Sequence, residues 1–199
     1  MKVGCPTCGA EVEFRFDDSF VRICGSCRSA VLRSDRGIES LGQLADLTPI
    51  DSPLRLFAEG RYGSMSFLLV GMAQLRHSAG GIWQEWYAKL DGGQWAWLSE
   101  AQGRYYLTFE RPNVPVPPFN HLAPGTQLSL EGRPFTVGEL GYGAYASALG
   151  EIPYRLDPVA QFQFADLSDG QGSFATIDFG DGRESPTVYV GYQVSLADL

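Results

Sequence analysis

A chain of 199 residues with 44% hydrophobic and 13% aromatic side chains can build a core, which excludes general disorder. Charge is divided unevenly: residues 1–37 hold six basic against five acidic side chains, and the remainder nine against eighteen. A nucleic-acid grip needs a positive surplus on one face, so the large part of the chain is a poor candidate for it.

The chain starts Met1-Lys2-Val3-Gly4 and runs straight into Cys5, which leaves no room for the apolar stretch of a signal peptide. No run of about 18 apolar residues follows, so no membrane-spanning helix is expected. The expectation is a cytoplasmic protein.

Four cysteines, the only ones, fall in two pairs: CPTC at residues 5–8 and CGSC at 24–27. Two C-x2-C turns facing each other suit a tetrahedral zinc ion, with Zn–S bonds of about 2.3 Å. Between them, Glu11 to Phe16 alternates charged and apolar residues, Asp17-Asp18-Ser19 reads as a turn, and Phe20 to Ile23 returns as a strand. In the first pair Pro6 stiffens the turn and Gly9 can take a positive φ; in the second, Arg28 stands where glycine would be expected. Redox-active pairs or secreted disulfides fit less well, given the spacing and the absence of a leader. A segment this short buries too little apolar surface to fold alone, and metal ligation can supply the deficit. Residues 1–37 are therefore read as a zinc ribbon, with Cys5, Cys8, Cys24 and Cys27 holding a structural Zn²⁺.

Residues 38–53 are polar and read as a linker. Leu41, Leu44 and Leu47 at three-residue spacing suggest one or two helical turns within 33–53. From residue 54 on, short apolar runs punctuated by glycine predict strands, and the best helical candidate is the short Gly143–Leu149. An internal repeat is visible: Leu54-Arg55-Leu56 with Glu59-Gly60-Arg61 is echoed by Leu128-Ser129-Leu130 with Glu131-Gly132-Arg133, and the 90–95 turn by 167–172. The fold class expected is mainly β: the ribbon followed by one or two related small barrel or sandwich units. A first unit spans 54–112 and a second, diverged one 120–199, separated by the proline-rich 112–118.

The segment Trp83-Gln84-Glu85-Trp86-Tyr87, a glycine turn at 92–93, and Trp95-Ala96-Trp97-Leu98-Ser99-Glu100 resembles the bacterial domain-of-unknown-function 4178 family. The resemblance covers residues 50–110 best, with 120–199 as a diverged copy lacking tryptophan. It implies an N-terminal zinc ribbon, common in such proteins, and no established activity. It also implies gene neighbours resembling spermidine synthases and small membrane proteins.

All four tryptophans fall within residues 83–97. They read as cross-strand core pairs or as an aromatic face that anchors a partner, with Trp83, Trp86, Trp95 and Trp97 as binding candidates. Glu85, between two indoles, reads as an outward residue paired with an arginine such as Arg104, or as the counter-charge for an organic cation held by cation–π attraction. His77 and His121 lie in no metal or triad spacing, and no nucleophile elbow or phosphate loop occurs. Gly141-Tyr142-Gly143-Ala144 only imitates a dinucleotide fingerprint. Asp157, Asp166, Asp169, Asp178 and Asp181 read as turn residues, with an acidic pair among them as the alternative.

The function expected is non-enzymatic: a protein-interaction adaptor using the tryptophan face. The alternatives are a sensor of a small organic cation such as a polyamine, and nucleic-acid binding through Arg15, Arg22, Arg28, Arg33 and Arg36 of the ribbon.

Overall fold

In the computed structural model, residues 1–158, 160–182 and 185–199 are described. They are almost wholly strand and turn, and no helix among them is long and apolar enough to cross a membrane.

The ribbon holds β1 (Lys2–Gly4), β2 (Glu11–Glu13), β3 (Val21–Ile23), β4 (Ser29–Ser34) and β5 (Gly37–Gln43). The strands expected to face each other across the Asp17-Asp18 turn join different ladders: β2 pairs with β1, while β3 pairs with β4. The cause lies just past β2. The backbone N–H groups of Arg15 and Phe16 donate to the carboxylate of Glu151, at 3.0 and 3.3 Å, which draws the chain toward the body. Residues 33–53 hold no helical turn. Residues 37–43 are β5, paired with β4, so the ribbon sheet continues past the point where a linker was expected.

Two meanders with the same plan make the body. The first is β6 (Glu59–Tyr62), β7 (Met65–His77), β8 (Ile82–Leu90), β9 (Trp95–Ala101) and β10 (Arg104–Arg111). The second is β11 (Gln127–Leu130), β12 (Arg133–Ile152), β13 (Gln161–Ser168), β14 (Ser173–Gly180) and β15 (Thr187–Val194). Each opens with a short strand and a very long one. The helix considered for Gly143–Leu149 is the middle of β12, whose pairing with β7 supplies the hydrogen bonds a lone helical turn would lack.

The meanders join along two seams. The last strands pair antiparallel, β10 with β15, and the long strands pair antiparallel, β7 with β12. With the hairpin pairings inside each meander, the strands β7-β8-β9-β10-β15-β14-β13-β12 close into one ring. Both seams bring backbones too close for a side chain. A Cβ on Gly71 would lie 1.8 Å from the Glu151 carbonyl oxygen, and one on Gly191 would lie 1.9 Å from that of Leu107. Val70 and Ala146 fall at register shifts in β7 and β12, bulges that bend these strands enough to close the ring.

Strand alternation divides the residues of this ring in an unusual way. The outward sides are apolar. On the first meander, Trp86, Ala88, Leu90, Ala96, Leu98 and Leu107 are covered by Leu47, Leu54, Ala58 and Tyr62. On the second, Val137, Ala165, Leu167, Ala175 and Ile177 are covered by Val114, Val116, Phe119 and Leu122. Each apolar wall is thus sealed by the segment preceding its own meander. The inward sides carry the mixed set: Trp83, Glu85, Tyr87 and Lys89 on β8, Phe164 and Asp166 on β13, and Thr176 and Asp178 on β14. One end of the ring is stoppered by the ribbon. Val21, Ile23, Ala30 and Leu32 share a core with Leu75, Tyr87, Trp97, Ile152 and Leu156.

Candidate functional site

The four cysteine sulfurs come together, all within 4.8 Å of one another. Cys5 and Cys27 are 3.7 Å apart, as are Cys8 and Cys24. Four thiolates at bonds of about 2.3 Å around a tetrahedral ion stand about 3.8 Å from each other, so this donor set fits a metal without rearrangement. The two turns are built alike. Gly9 N–H donates to the Cys5 carbonyl and Arg28 N–H to that of Cys24, at 2.8 and 2.9 Å. Gly9 and Arg28 both take positive φ, 75° and 62°. At Arg28 this conformation costs about 1 kcal/mol, and the guanidinium offsets it by bonding the Leu44 carbonyl and the Asp46 carboxylate. Hydrogen bonds with the Ser29 side chain and backbone hold the Cys27 thiol down, to about 6, favouring the thiolate that a metal binds.

Of the basic residues in the ribbon, Arg15 lies over the Phe57 ring and Arg33 bonds the carbonyls of Phe16, Asp17 and Ser19. Arg22 is largely buried beside Glu151, its guanidinium pKa lowered by that burial. Arg22, Arg28 and Arg33 are thus partly buried and engaged within the protein, while Arg15 and Arg36 are exposed.

A second site lies within the ring. Glu85, Asp166, Tyr145, Tyr154 and Tyr189 sit deep, enclosed by protein atoms, yet each keeps partial solvent exposure. Their partial exposure marks a recess on the inward side of the ring. Trp83 packs edge-on to Phe162 and tilted to Phe164, Tyr145 packs on Phe162, and Trp97 packs on Tyr189 at 4.6 Å between centroids. The hydroxyls of Tyr87 and Tyr154 are hydrogen-bonded to each other.

Carboxylates stand among these rings without a cationic partner. Glu85 accepts one hydrogen bond, from Trp83 Nε1 at 3.2 Å, and is not paired with Arg104. Burial pushes its carboxyl up to about 7; the Trp83 bond works against this, and the charges of Asp178 and Asp166 add to it. Asp166 accepts from Thr176 Oγ1 at 2.7 Å, and burial raises it as well to about 7, with Glu139 adding to the rise. Among the described residues neither takes part in an ion pair.

Glu85 and Asp166 occupy the same place in the two meanders. The β10–β15 seam pairs Thr108 with Gly191. On one side Thr108 faces Trp97; two residues on, Ser99 faces Glu85. On the other side Gly191 faces Phe174; two residues on, Thr176 faces Asp166. By the same steps Trp83 and Phe164 correspond. Counted outward from this seam, the two carboxylates therefore take matching positions.

The family model for a domain of unknown function, DUF4178, matches residues 58–196. The chain belongs to the DUF4178 family. The matched span takes in both meanders, so the family unit includes the whole ring and its hollow, with the cysteine site outside it. No curated protein and no solved structure matches this DUF4178 chain.

The tryptophans do not gather on one surface. Trp86 is 4% exposed, packed in the outer apolar wall, where its Nε1 donates to Glu100. Trp83, Trp95 and Trp97 face inward, Trp97 at 8% exposure and the other two half-buried. Trp95 meets the ribbon: its ring packs edge-on to Phe16, its Nε1 donates to Asp18 at 2.8 Å, and Lys89 lies over it while pairing with Asp18. Gly141 and Gly143, the imitation of a nucleotide loop, serve the rings: a Cβ there would strike His77 and Phe164, or Phe162.

Asp166 and Asp178 escaped sequence reasoning as strand residues. Asp169 does fill the expected turn role, accepting from the amides of Gln171 and Ser173. The available signal was the alternation Phe162, Phe164, Asp166, which puts the aspartate on the same face as the two rings.

Proposed function

We propose that this protein is a non-enzymatic receptor for a small organic cation, bound in the hollow of the ring, with a structural Zn²⁺ holding the ribbon that stoppers it. One observation carries the reading: Glu85 and Asp166 are enclosed among aromatic rings with no cationic partner among the described residues. An isolated ionised carboxylate is costly to bury. A cation in the hollow relieves that cost by charge pairing, and the faces of Trp83, Tyr145 and Tyr189 add cation–π attraction. The zinc assignment rests on the thiolate spacing, which matches a tetrahedral S4 set. Burial of the tryptophans gives no support to the alternative of an adaptor that grips a protein through them. With Arg22, Arg28 and Arg33 engaged within the protein, only Arg15 and Arg36 of the cluster are left exposed, a small positive patch for nucleic-acid binding.

Calorimetric titration of butylammonium and of spermidine into the wild type and Glu85→Ala tests this. The expected result is saturable heat with at least one of them in the wild type and its loss in the variant. Equal or absent heats in both proteins overturn it.

A further inference from the structure

The placement of the two carboxylates on two different strands bears on the kind of cation. Glu85 on β8 and Asp166 on β13 both stand on the inward side of the ring, each with one oxygen engaged by a neighbouring donor. The second oxygen of each has no hydrogen-bond partner among the described residues and faces the hollow. No three of the described carboxylates converge on one point. Among the described residues the one group of three or more ligating side chains close enough to share a metal ion is the four cysteines. Negative charge in the hollow is spread between two walls, which suits an extended ligand with separated charges over a single divalent ion.

The space between those charges is of the right character as well. Trp83, on the Glu85 strand, reaches across to Phe162 and Phe164 on the Asp166 strand, with centroids 6.5 and 5.7 Å apart. Rings spanning the gap offer apolar surface to a chain of methylenes. Tyr189 adds a polar group: its hydroxyl lies deep, has no hydrogen-bond partner among the described residues, and is near enough to feel the charges of Asp178 and Glu85. It is placed to accept from an ammonium N–H. Among the described residues the other charged or titratable groups on the inward faces include Asp178, Glu139 with His77, Glu110, Lys89 paired with Asp18, and the tyrosines Tyr87, Tyr145 and Tyr154.

We infer that the hollow recognises a linear diammonium ligand at two points, with one ammonium against Glu85, the other against Asp166, and the methylene chain along Trp83, Phe162 and Phe164. This rests on the organic-cation reading above and adds Asp166, the second charge and the extended shape to it.

Titration of α,ω-diamines of increasing chain length, each beside the monoamine of equal carbon number, tests the inference on the intact zinc-loaded protein. One chain length is expected to bind at least about tenfold more tightly than its monoamine, the gain from a second charge-assisted contact in a recessed site. Asp166→Asn is expected to remove that advantage, bringing the diamine down to the affinity of its monoamine, and Glu85→Gln to weaken both. Should Asp166→Asn fail to fold, the diamine-to-monoamine ratio of the wild type decides. Equal affinities for the two classes at every length, or a diamine advantage that survives Asp166→Asn, overturn the inference. Binding of monoamines alone, lost in Glu85→Gln, would leave the organic-cation reading standing and remove only the diammonium one. Heats absent with every amine would remove both.

Discussion

Glu85→Gln replaces a buried acid by a neutral side chain of the same outline that still accepts the Trp83 hydrogen bond, so its effect on stability is expected to depend on pH. The Glu85 carboxyl rises from an ordinary 4.5 to about 7 in the folded protein. A raised acid means that the folded state holds its proton more tightly than the unfolded chain. Its contribution is fully present below about pH 4.5 and is lost as pH rises through about 7. A shift of this size corresponds to about 3 kcal/mol. Urea unfolding of the wild type and Glu85→Gln from about pH 4 to pH 8 measures it. The stability of the variant relative to the wild type is expected to climb by about 3 kcal/mol over that range, because the wild type ionises a group the hollow does not solvate and the variant cannot. A difference that stays flat with pH would mean Glu85 is well solvated or paired, and the case for an uncompensated charge would fail.

Other outcomes follow from the same geometry. Because a cation replaces a proton at carboxyls raised to about 7 by burial, amine affinity is expected to rise between about pH 6 and pH 8, with proton release visible as buffer-dependent heats in calorimetry. Elemental analysis is expected to find one zinc per chain; stripping it with a chelator should shift the Trp95 emission to the red, since Phe16 and Asp18 of the ribbon cover that indole. Gly71→Ala and Gly191→Ala should each cost about 3 kcal/mol or more in chemical denaturation, because the added methyl meets a carbonyl oxygen across a seam where neither backbone can retreat. Glu151→Ala strips the partner from two buried amides and should cost about 2–4 kcal/mol, with the ribbon losing protection from hydrogen exchange before the ring does.

Much of this architecture was legible in the residues. The cysteine spacing gave the thiolate cluster, because a C-x2-C turn is local geometry. Glycine punctuation and short apolar runs gave an all-β body, and the paired Glu-Gly-Arg signals marked two related halves. What the pattern did not carry was the sense of each face. Trp83, Glu85 and Tyr87 alternate with Gln84, Trp86 and Ala88, and both sets mix apolar with polar groups. Hydrophobicity alone could not say which set lines a hollow, since here the oilier set points outward beneath covering segments. The strand from Gly37 to Gln43 was missed for a related reason: mostly polar and exposed, it is held by pairing to β4 rather than by burial.

The two seams carry a kinetic consequence. Within each meander, neighbouring strands are consecutive in the chain and can zip from their turns. The β10–β15 and β7–β12 pairings join residues that lie 66 to 89 positions apart, and such contacts form slowly because long loops must close first. On a ribosome, the first half would emerge with both of its seam edges bare and must wait for its counterpart. An unpaired β-edge recruits any strand that matches it. The same bare edges could therefore be satisfied by the corresponding half of a second nascent chain, which makes exchange of halves between molecules the failure this topology most invites.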